Sequence, residues 1–328
     1  MRDVASTAGV SLKTVSRVVN REPGVHAETA ARVQAVIADL GFARNEVART
    51  LRHGRAEAIG LVIEDVANPF YSAIARTVEN AAHARGHILI TGSCEEDPER
   101  EQQLVHRLLR QSVDALLIVP AGADHRYLEP ELAAGKPLVF LDRPPGRIEA
   151  DTVLLDNRGG ARAGVAHLLE HGHHRVAFVG DLPAVHTARE RLAGYRRALV
   201  EADVPERSEL VRAGTHDAAG AEETVRALLR LPVARRPTAL FCANNRNTVG
   251  ALRALRDHPR PVAIVGFDDF ELADMLATPV TVVRHVPEDM GRIAAELAYA
   301  RLDGDDRPPQ RRTIPCELVA RGSGEVPA

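Results

Sequence analysis

Apolar and polar positions alternate along most of the chain in a way that is typical of buried strands separated by amphipathic helices. From residue 58 onward, several short apolar runs have the length of buried parallel strands: 59–63, 88–91, 115–119, 138–141, 176–179, 239–242 and 263–265. Stretches with helical periodicity lie between these runs: 70–85, 98–111, 159–171, 188–202, 219–231 and 248–257. This alternation predicts an α/β fold with doubly wound parallel sheets, in which ligands bind at the carboxyl ends of the strands.

The first 40 residues follow a different pattern. Val4, Ala5 and Ala8 share one helical face, Gly9 is suited to a tight turn, and Ser11 is suited to cap a second helix. The inward positions of that region are apolar: Val10, Val15, Val18 and Val19. A third amphipathic stretch covers 26–40 and is followed by Gly41. Two short helices around a glycine turn, with a third behind them, predict a helix-turn-helix.

Charge is distributed unevenly between this head and the rest of the chain. The whole chain has a net charge of −3, but residues 1–55 carry +4 and the remaining residues carry −7. A basic head on an acidic body indicates that only the head meets a polyanion such as nucleic acid.

The head resembles the N-terminal signature of the lactose-repressor/galactose-repressor (LacI/GalR) family of bacterial transcription factors. The matching residues are Val4-Ala5, Ala8-Gly9-Val10-Ser11, Thr14-Val15-Ser16-Arg17-Val18 and Asn20. The resemblance implies that Leu12, Lys13 and Arg17 face base edges in the major groove. It implies that Thr14, Ser16 and Asn20 hold phosphates. The family usually has a few residues before this segment, so we expect a first helix without its usual cap and a true start that lies upstream of Met1.

Residues 45–55 resemble the hinge helix of the same family, which forms when paired with its twin on DNA. By that resemblance, Asn45, Ala48, Arg49 and Leu51 contact DNA, with Leu51 wedged between central base pairs of the minor groove. Leu51 could instead be an ordinary core leucine. Arg44 stands where the family usually has proline.

The body resembles the family's effector-binding core, which has a two-lobed periplasmic-binding-protein type I fold. The matching motifs include Asn68-Pro69-Phe70, Asp142-Arg143, Asp156-Asn157-Arg158-Gly159-Gly160, Arg189-Glu190-Arg191, Ala243-Asn244-Asn245 and Val265-Gly266-Phe267-Asp268-Asp269. The implied organisation is a helix-turn-helix domain at 1–44, a hinge helix and linker at 45–56, and a core at 57–323. Within the core, the first lobe takes 57–156 and 287–312, and the second takes 157–286 and 313–323.

Polar residues after the predicted strands form a candidate effector site. Asp268 can accept hydrogen bonds from hydroxyls, Arg191 can bind two oxygens at once, and Asn244 can both donate and accept. By resemblance, the site contains Asn68, Phe70, Tyr71, Asp142, Arg191, His216, Asn244 and Asp268. Asp268 and Asn244 could instead be turn or cap residues. Asn245 stands where the family usually has Asp. We expect the effector to be a sugar or sugar derivative, with a nucleoside or purine as the alternative.

Other function classes lack their sequence signals. A nucleotide-cofactor enzyme is the main alternative, but no Gly-x-Gly-x-x-Gly follows a strand and no Gly-x-x-x-x-Gly-Lys occurs. A secreted sugar-binding protein would share the core but would need a signal peptide. We expect no catalytic residue, metal or cofactor. His171, His173 and His174 are expected to lie on a solvated helix end, and Glu95-Glu96 on solvated surface.

These inferences converge on a homodimeric transcriptional regulator, most consistent with a repressor, that binds a near-palindromic operator and answers a small effector. The sequence contains three widely spaced Cys residues, which fits a reducing cytosol. We therefore expect a cytoplasmic protein that is associated with the bacterial nucleoid. No apolar run approaches the roughly 18 residues of a membrane helix. After Gly322 the sequence shows no heptads that would build a tetramer.

Overall fold

The computed structural model describes residues 1–19, 22–41 and 57–328. The chain divides into two compact units, residues 1–55 and 56–328. None of the helices in the described ranges combines the length and apolar character that a membrane crossing requires.

The first unit contains the predicted helix-turn-helix. Its helices are α1 (Arg2–Ala8), α2 (Leu12–Val19) and α3 (Ala27–Asp39). Gly9 ends α1 in the left-handed conformation with φ 64°, as the turn prediction requires. Val4, Val15 and Val33 are fully buried in the core between the three helices. At the front of α1, Met1 occupies the N-cap position without a side-chain cap.

The first lobe of the second unit is built on a six-stranded parallel sheet. Its strands are β1 (Ala58–Ile63), β2 (Ile88–Ser93), β3 (Ala115–Ile118), β4 (Leu138–Leu141), β5 (Asp151–Leu155) and β11 (Arg311–Ile314), in the order β11-β5-β4-β3-β1-β2. The helices are α4 (Pro69–Ala84), α5 (Pro98–Arg110), α6 (Glu129–Ala133) and α11 (Pro287–Leu302). Helices α4 and α11 bury one face of the sheet, and α5 buries the other.

The second lobe repeats this arrangement. Its strands are β6 (Val176–Val179), β7 (Val211–Arg212), β8 (Ala239–Cys242), β9 (Ala263–Phe267), β10 (Thr281–Arg284) and β12 (Glu317–Val319), in the order β12-β10-β9-β8-β6-β7. Only the β10–β12 pair is antiparallel within this sheet. Helices α7 (Asn157–Glu170) and α8 (His186–Glu201) cover one face, while α9 (Ala218–Leu229) and α10 (Asn245–Leu255) cover the other. The predicted α/β class with two parallel-sheet lobes is therefore confirmed.

The chain passes between the lobes after β5, after β10 and after β11. The expected lobe boundary at 312/313 falls inside β11, where Ile314 is still paired with Leu155. Because this backbone pairing holds the whole strand in the first sheet, the boundary lies after Ile314 rather than after residue 312.

Candidate functional site

Helix α2 presents the residues that were predicted to read bases. Val15 and Val18 are buried, whereas Leu12 is 48% exposed and Lys13 is also exposed. Arg17 and Ser16 are half-buried on the same helix. This arrangement leaves one side of the helix free of the head's own core, as a recognition helix requires.

Ser11 and Thr14 fix the start of this helix. The Ser11 hydroxyl accepts the Thr14 amide hydrogen bond at 3.1 Å and lies 2.9 Å from the Thr14 hydroxyl. The predicted capping by Ser11 is confirmed. Five other predicted DNA-contacting residues lie outside the described residues: Asn20, Asn45, Ala48, Arg49 and Leu51.

A cavity of about 40 Å³ lies between the two lobes, at the carboxyl ends of strands from both sheets. Seven of the eight predicted effector residues line it: Asn68, Phe70, Tyr71, Asp142, Arg191, Asn244 and Asp268. Hydrogen bonds from Asn245 and Arg246 to residues of the first lobe bring the two lobes together around it. The eighth, His216, lies beside the cavity, with its ring nitrogens 3.1 Å from Asp181 and 3.7 Å from Glu64.

Arg191 is held from several sides in the second lobe. Its guanidinium contacts both carboxylate oxygens of Asp268 at 3.3 and 3.4 Å and donates to the Asn157 side chain at 2.7 Å. It also stacks 3.8 Å from the centre of the Phe267 ring. His285 approaches Asp268 at 3.0 Å. Burial opposes the charged carboxylate, but the charge of Arg191 and the His285 hydrogen bond hold the pKa of Asp268 below its ordinary value.

Asp142 occupies the equivalent position in the first lobe. It follows β4 as Asp268 follows β9, and its φ is 63° where that of Asp268 is 68°. The amide of Asp142 donates to Val153 at 2.8 Å, and that of Asp268 donates to Val283 at 3.0 Å. The two aspartates therefore sit in matching backbone positions of the two sheets.

The surroundings of Asp142 differ from those of Asp268. Its Oδ2 is 3.4 Å from the Tyr71 hydroxyl and 3.6 Å from Nε of Arg143, while its Oδ1 has no hydrogen-bond partner among the described residues. Arg143 is instead bound by Glu96, whose Oε2 lies 2.6 Å away. Burial raises the pKa of Asp142 above its ordinary value. The expectation that Glu96 lies on solvated surface was wrong, because this ion pair buries its side chain.

Direct polar contacts join the lobes across the cavity. Arg246 donates to Glu64 at 3.2 Å and to Asp65 at 2.5 Å, and the Asn245 side chain donates to Asn68 at 3.2 Å. Burial and the nearby charge of Glu96 raise the pKa of Glu64. Sequence reasoning missed Glu64, Asp181 and Arg246. A usable signal existed for the two carboxylates, since Glu64 directly follows β1 and Asp181 lies two residues after the end of β6.

Several site residues also have a local structural role. The Asn68 side chain accepts the Phe70 amide at 3.2 Å at the start of α4, and Asn244 accepts the Asn247 amide at 2.7 Å at the start of α10. The alternative that Asn244 is a cap is therefore correct, but its side chain lines the cavity as well. This capping bond holds the Asn244 side chain close to the carboxyl end of β8.

The histidine cluster after α7 contains one residue that is tied into the core. No group of ligating residues that could hold a metal occurs within the described part of the chain. His173 is fully buried, with Nε2 2.7 Å from the Val326 carbonyl and Nδ1 3.0 Å from Thr238. The expectation of a solvated helix end was thus wrong for His173, because these two contacts tie it into the core.

Comparisons with known proteins match both parts of the chain. Residues 1–45 match the family described as bacterial regulatory proteins, lacI family, and residues 165–324 match the periplasmic binding protein-like domain. The HTH-type transcriptional regulator GalR of Escherichia coli (strain K12) is 31% identical over 332 residues, covering 100% of this chain and 96% of that protein. The ribose operon repressor of the same strain is 31% identical over 330 residues, covering 98% and 99%.

Among solved structures, the lac repressor dimer bound to operator and the anti-inducer ONPF superposes with a TM-score of 0.86. It is 28% identical and covers 98% of each chain. The helix-turn-helix, the two-lobed body and these matches define a DNA-binding transcriptional regulator, so the expectation of a regulator rather than an enzyme is confirmed. The chain belongs to the LacI family of bacterial regulatory proteins.

Proposed function

We propose that this regulator is a homodimeric repressor that reads a near-palindromic operator with α2 and changes its operator affinity in response to a small effector in the interlobe cavity. The observation that carries the proposal is the cavity itself. It lies at the carboxyl ends of two parallel sheets, where such folds bind ligands, and charged and amide side chains converge on it.

For DNA reading, we propose that Leu12, Lys13 and Arg17 contact base edges while Thr14 and Ser16 hold phosphates. The exposure of Leu12 and Lys13 opposite buried Val15 supports this assignment. Residues 45–56 act as the hinge, with Leu51 as a minor-groove wedge. The protein works in the cytoplasm, on the nucleoid.

For the effector, we propose a polyhydroxylated, sugar-like compound. Carboxylates, guanidiniums and amides suit hydroxyl groups, and the partly buried Phe70 lines the cavity with an aromatic ring that suits the apolar face of a sugar. The lac repressor structure was solved with an anti-inducer, which supports a small ligand in the same fold.

The test joins operator selection to ligand screening on the full chain. Selection from random duplexes should return a near-palindrome, and a titration should show two protomers bound per site. Thermal shifts against sugars and nucleosides then identify ligands that stabilise the folded protein. A ligand that raises the melting temperature must also change operator affinity. Failure to select any operator, or ligands that leave operator affinity unchanged, would refute the proposal.

A further inference from the structure

Asp142 is a carboxylate that the protein leaves incompletely satisfied in the cavity wall. Only 3% of the residue is exposed, and its Oδ1 has no hydrogen-bond partner among the residues that the structure describes. Its counterpart Asp268, in the matching backbone position, contacts Arg191 and His285. Because the backbone setting is the same, the difference comes from the missing partner rather than from the turn.

The arginines near the cavity are already committed to other carboxylates. Arg143 binds Glu96, and Arg191 binds Asp268. Arg246 is shared between Asp65 and Glu64. Arg143 approaches Asp142 with its Nε 3.6 Å from Oδ2, which is too far for a hydrogen bond, and Oδ1 has no donor among the described residues.

The groups around the cavity therefore carry surplus negative charge. The carboxylates in the described part of this region are Glu64, Asp65, Glu96, Asp142, Asp181 and Asp268. They face the guanidiniums of Arg143, Arg191 and Arg246 and the rings of His216 and His285. Among the residues that line the cavity itself, four carboxylates (Glu64, Asp142, Asp181 and Asp268) face three guanidiniums, and a buried charge without a partner is costly.

Resting on the proposed function, we infer that the effector carries a protonated amine beside its hydroxyl groups, as an amino sugar or amino polyol does, with the ammonium held by Asp142 and Glu64. Both carboxylates have the Arg143 guanidinium beside them, at 3.6 Å from Asp142 and 4.0 Å from Glu64, so the two share one cation that is already bound to Glu96. Burial raises the pKa of both carboxylates, and the charge of Glu96 raises that of Glu64 further.

An ammonium fits this position better than a hydroxyl does. It offers three donors, one of which supplies the missing partner of Oδ1, and its charge balances the carboxylate. A neutral hydroxyl would supply a donor but would leave the surplus charge in place. We therefore expect the amine to determine specificity among otherwise similar sugars.

The probes are glucosamine, galactosamine and mannosamine, each with its neutral parent hexose and its N-acetyl derivative, titrated calorimetrically into the full chain at pH 7. At least one amine should bind with a Kd at least tenfold below those of its two uncharged partners. Asp142→Asn should weaken that amine at least tenfold while raising the melting temperature of the ligand-free protein, because it removes a buried carboxylate whose Oδ1 has no partner among the described residues. Asparagine tolerates the φ of 63° at this position.

Asp217→Asn is the matched control, since Asp217 is an exposed helix cap outside the cavity and asparagine caps equally well. It should leave both the Kd and the melting temperature unchanged. The inference is overturned if an uncharged partner binds as tightly as its amine, or if none of the amines binds. It is also overturned if Asp142→Asn lowers the ligand-free melting temperature.

Operator titration of the same samples separates the two levels of the argument. If a neutral sugar binds as tightly as its amine and changes operator affinity, the proposed function stands and the amine inference fails. If the protein selects no operator, the proposed function fails whatever calorimetry shows.

Discussion

Replacing Arg246 by glutamine tests whether the lobes are held closed by the protein's own ion pairs. Arg246 belongs to the second lobe and donates to Glu64 at 3.2 Å and to Asp65 at 2.5 Å in the first. The Arg246 side chain is 25% exposed, against 9% for Glu64 and 31% for Asp65. Arg246→Gln keeps a polar side chain but removes the charge and the forked donors that reach both carboxylates.

The expected magnitude follows from these contacts. A hydrogen bond to a charged group contributes roughly 1.5–3 kcal/mol when protected from water. The contact with Asp65 is partly exposed and is discounted for solvent screening, which leaves about 1–3 kcal/mol for the pair. At about 1.4 kcal/mol per decade, the open state should gain roughly 5- to 150-fold in population relative to the closed state. The Asn245–Asn68 bond then remains as a cross-lobe contact.

Hydrogen exchange on the ligand-free full chain measures this change. Peptides covering residues 64–71 and 244–247 should exchange faster in Arg246→Gln, because opening exposes the amides at the cavity. Small-angle scattering should show a larger radius of gyration. The matched control is Arg253→Gln, an exposed arginine on the same helix α10. If exchange in these peptides is unchanged in Arg246→Gln, or rises equally in Arg253→Gln, the ion pairs do not hold the lobes closed.

Three further predictions concern the two functional regions. Lys13 variants should change which operator bases are preferred, since one base contact discriminates by roughly 1–3 kcal/mol, whereas Thr14→Ala should weaken binding to all operator sequences evenly. Operator selection with both sets of variants tests this prediction, and an unchanged base preference for the Lys13 variants would contradict it. Asp268→Asn should lower effector affinity about ten- to hundredfold without changing operator binding in the absence of effector. Calorimetry measures the effector affinity and gel-shift titration the operator affinity, and a normal effector affinity would refute the assignment of Asp268 to the site. The hydrogen bond with Asp181 raises the pKa of His216 in the folded protein. Protonated His216 therefore stabilises the folded state fully below the unfolded pKa of about 6.5, and this stabilisation is lost as pH rises through the higher folded pKa. His216→Gln should therefore lower the melting temperature more at pH 5.5 than at pH 9; an equal loss at both would exclude this linkage.

Sequence patterns identified those strands whose burial is visible in their own residues. Strand β4, from Leu138 to Leu141, is apolar at every position and was predicted with the correct ends. Strand β11 is different, because three of its four residues are exposed and it contains Arg311 and Arg312. It is a strand only because it pairs with β5, which lies far away in the sequence. A local pattern carries no information about such a pairing.

Strand β5 shows the same limitation from the other side. It begins with Asp151, a charged residue that is only 3% exposed. Arg301 donates to both Asp151 oxygens at 2.8 and 2.9 Å from helix α11. A reading of the local sequence does not include this distant partner, so an aspartate at position 151 argues against a buried strand there. This explains why the apolar pattern did not predict β5.

In the candidate site too, residues whose position follows from local sequence could be predicted, and residues positioned by distant contacts could not. Asn68, Asn244 and Asp268 could be placed from sequence because each directly follows a strand or begins a helix, and the fold class fixes where such positions meet. The contacts of Arg246 could not be placed, since Glu64 lies 182 residues away in the other lobe.

The two equivalent aspartates show what the fold does and does not determine at this site. Each sheet places an aspartate in a left-handed turn at the end of its third strand from the same edge, so the fold fixes the position of both carboxylates. Their charge states are set by side chains that the fold leaves free to vary. Arg191 and His285 hold the pKa of Asp268 low, whereas burial without an equivalent partner raises that of Asp142. If the cavity binds the effector as proposed, gaining or losing one cation beside one of these two fixed carboxylates should change the preferred ligand charge with no change in backbone.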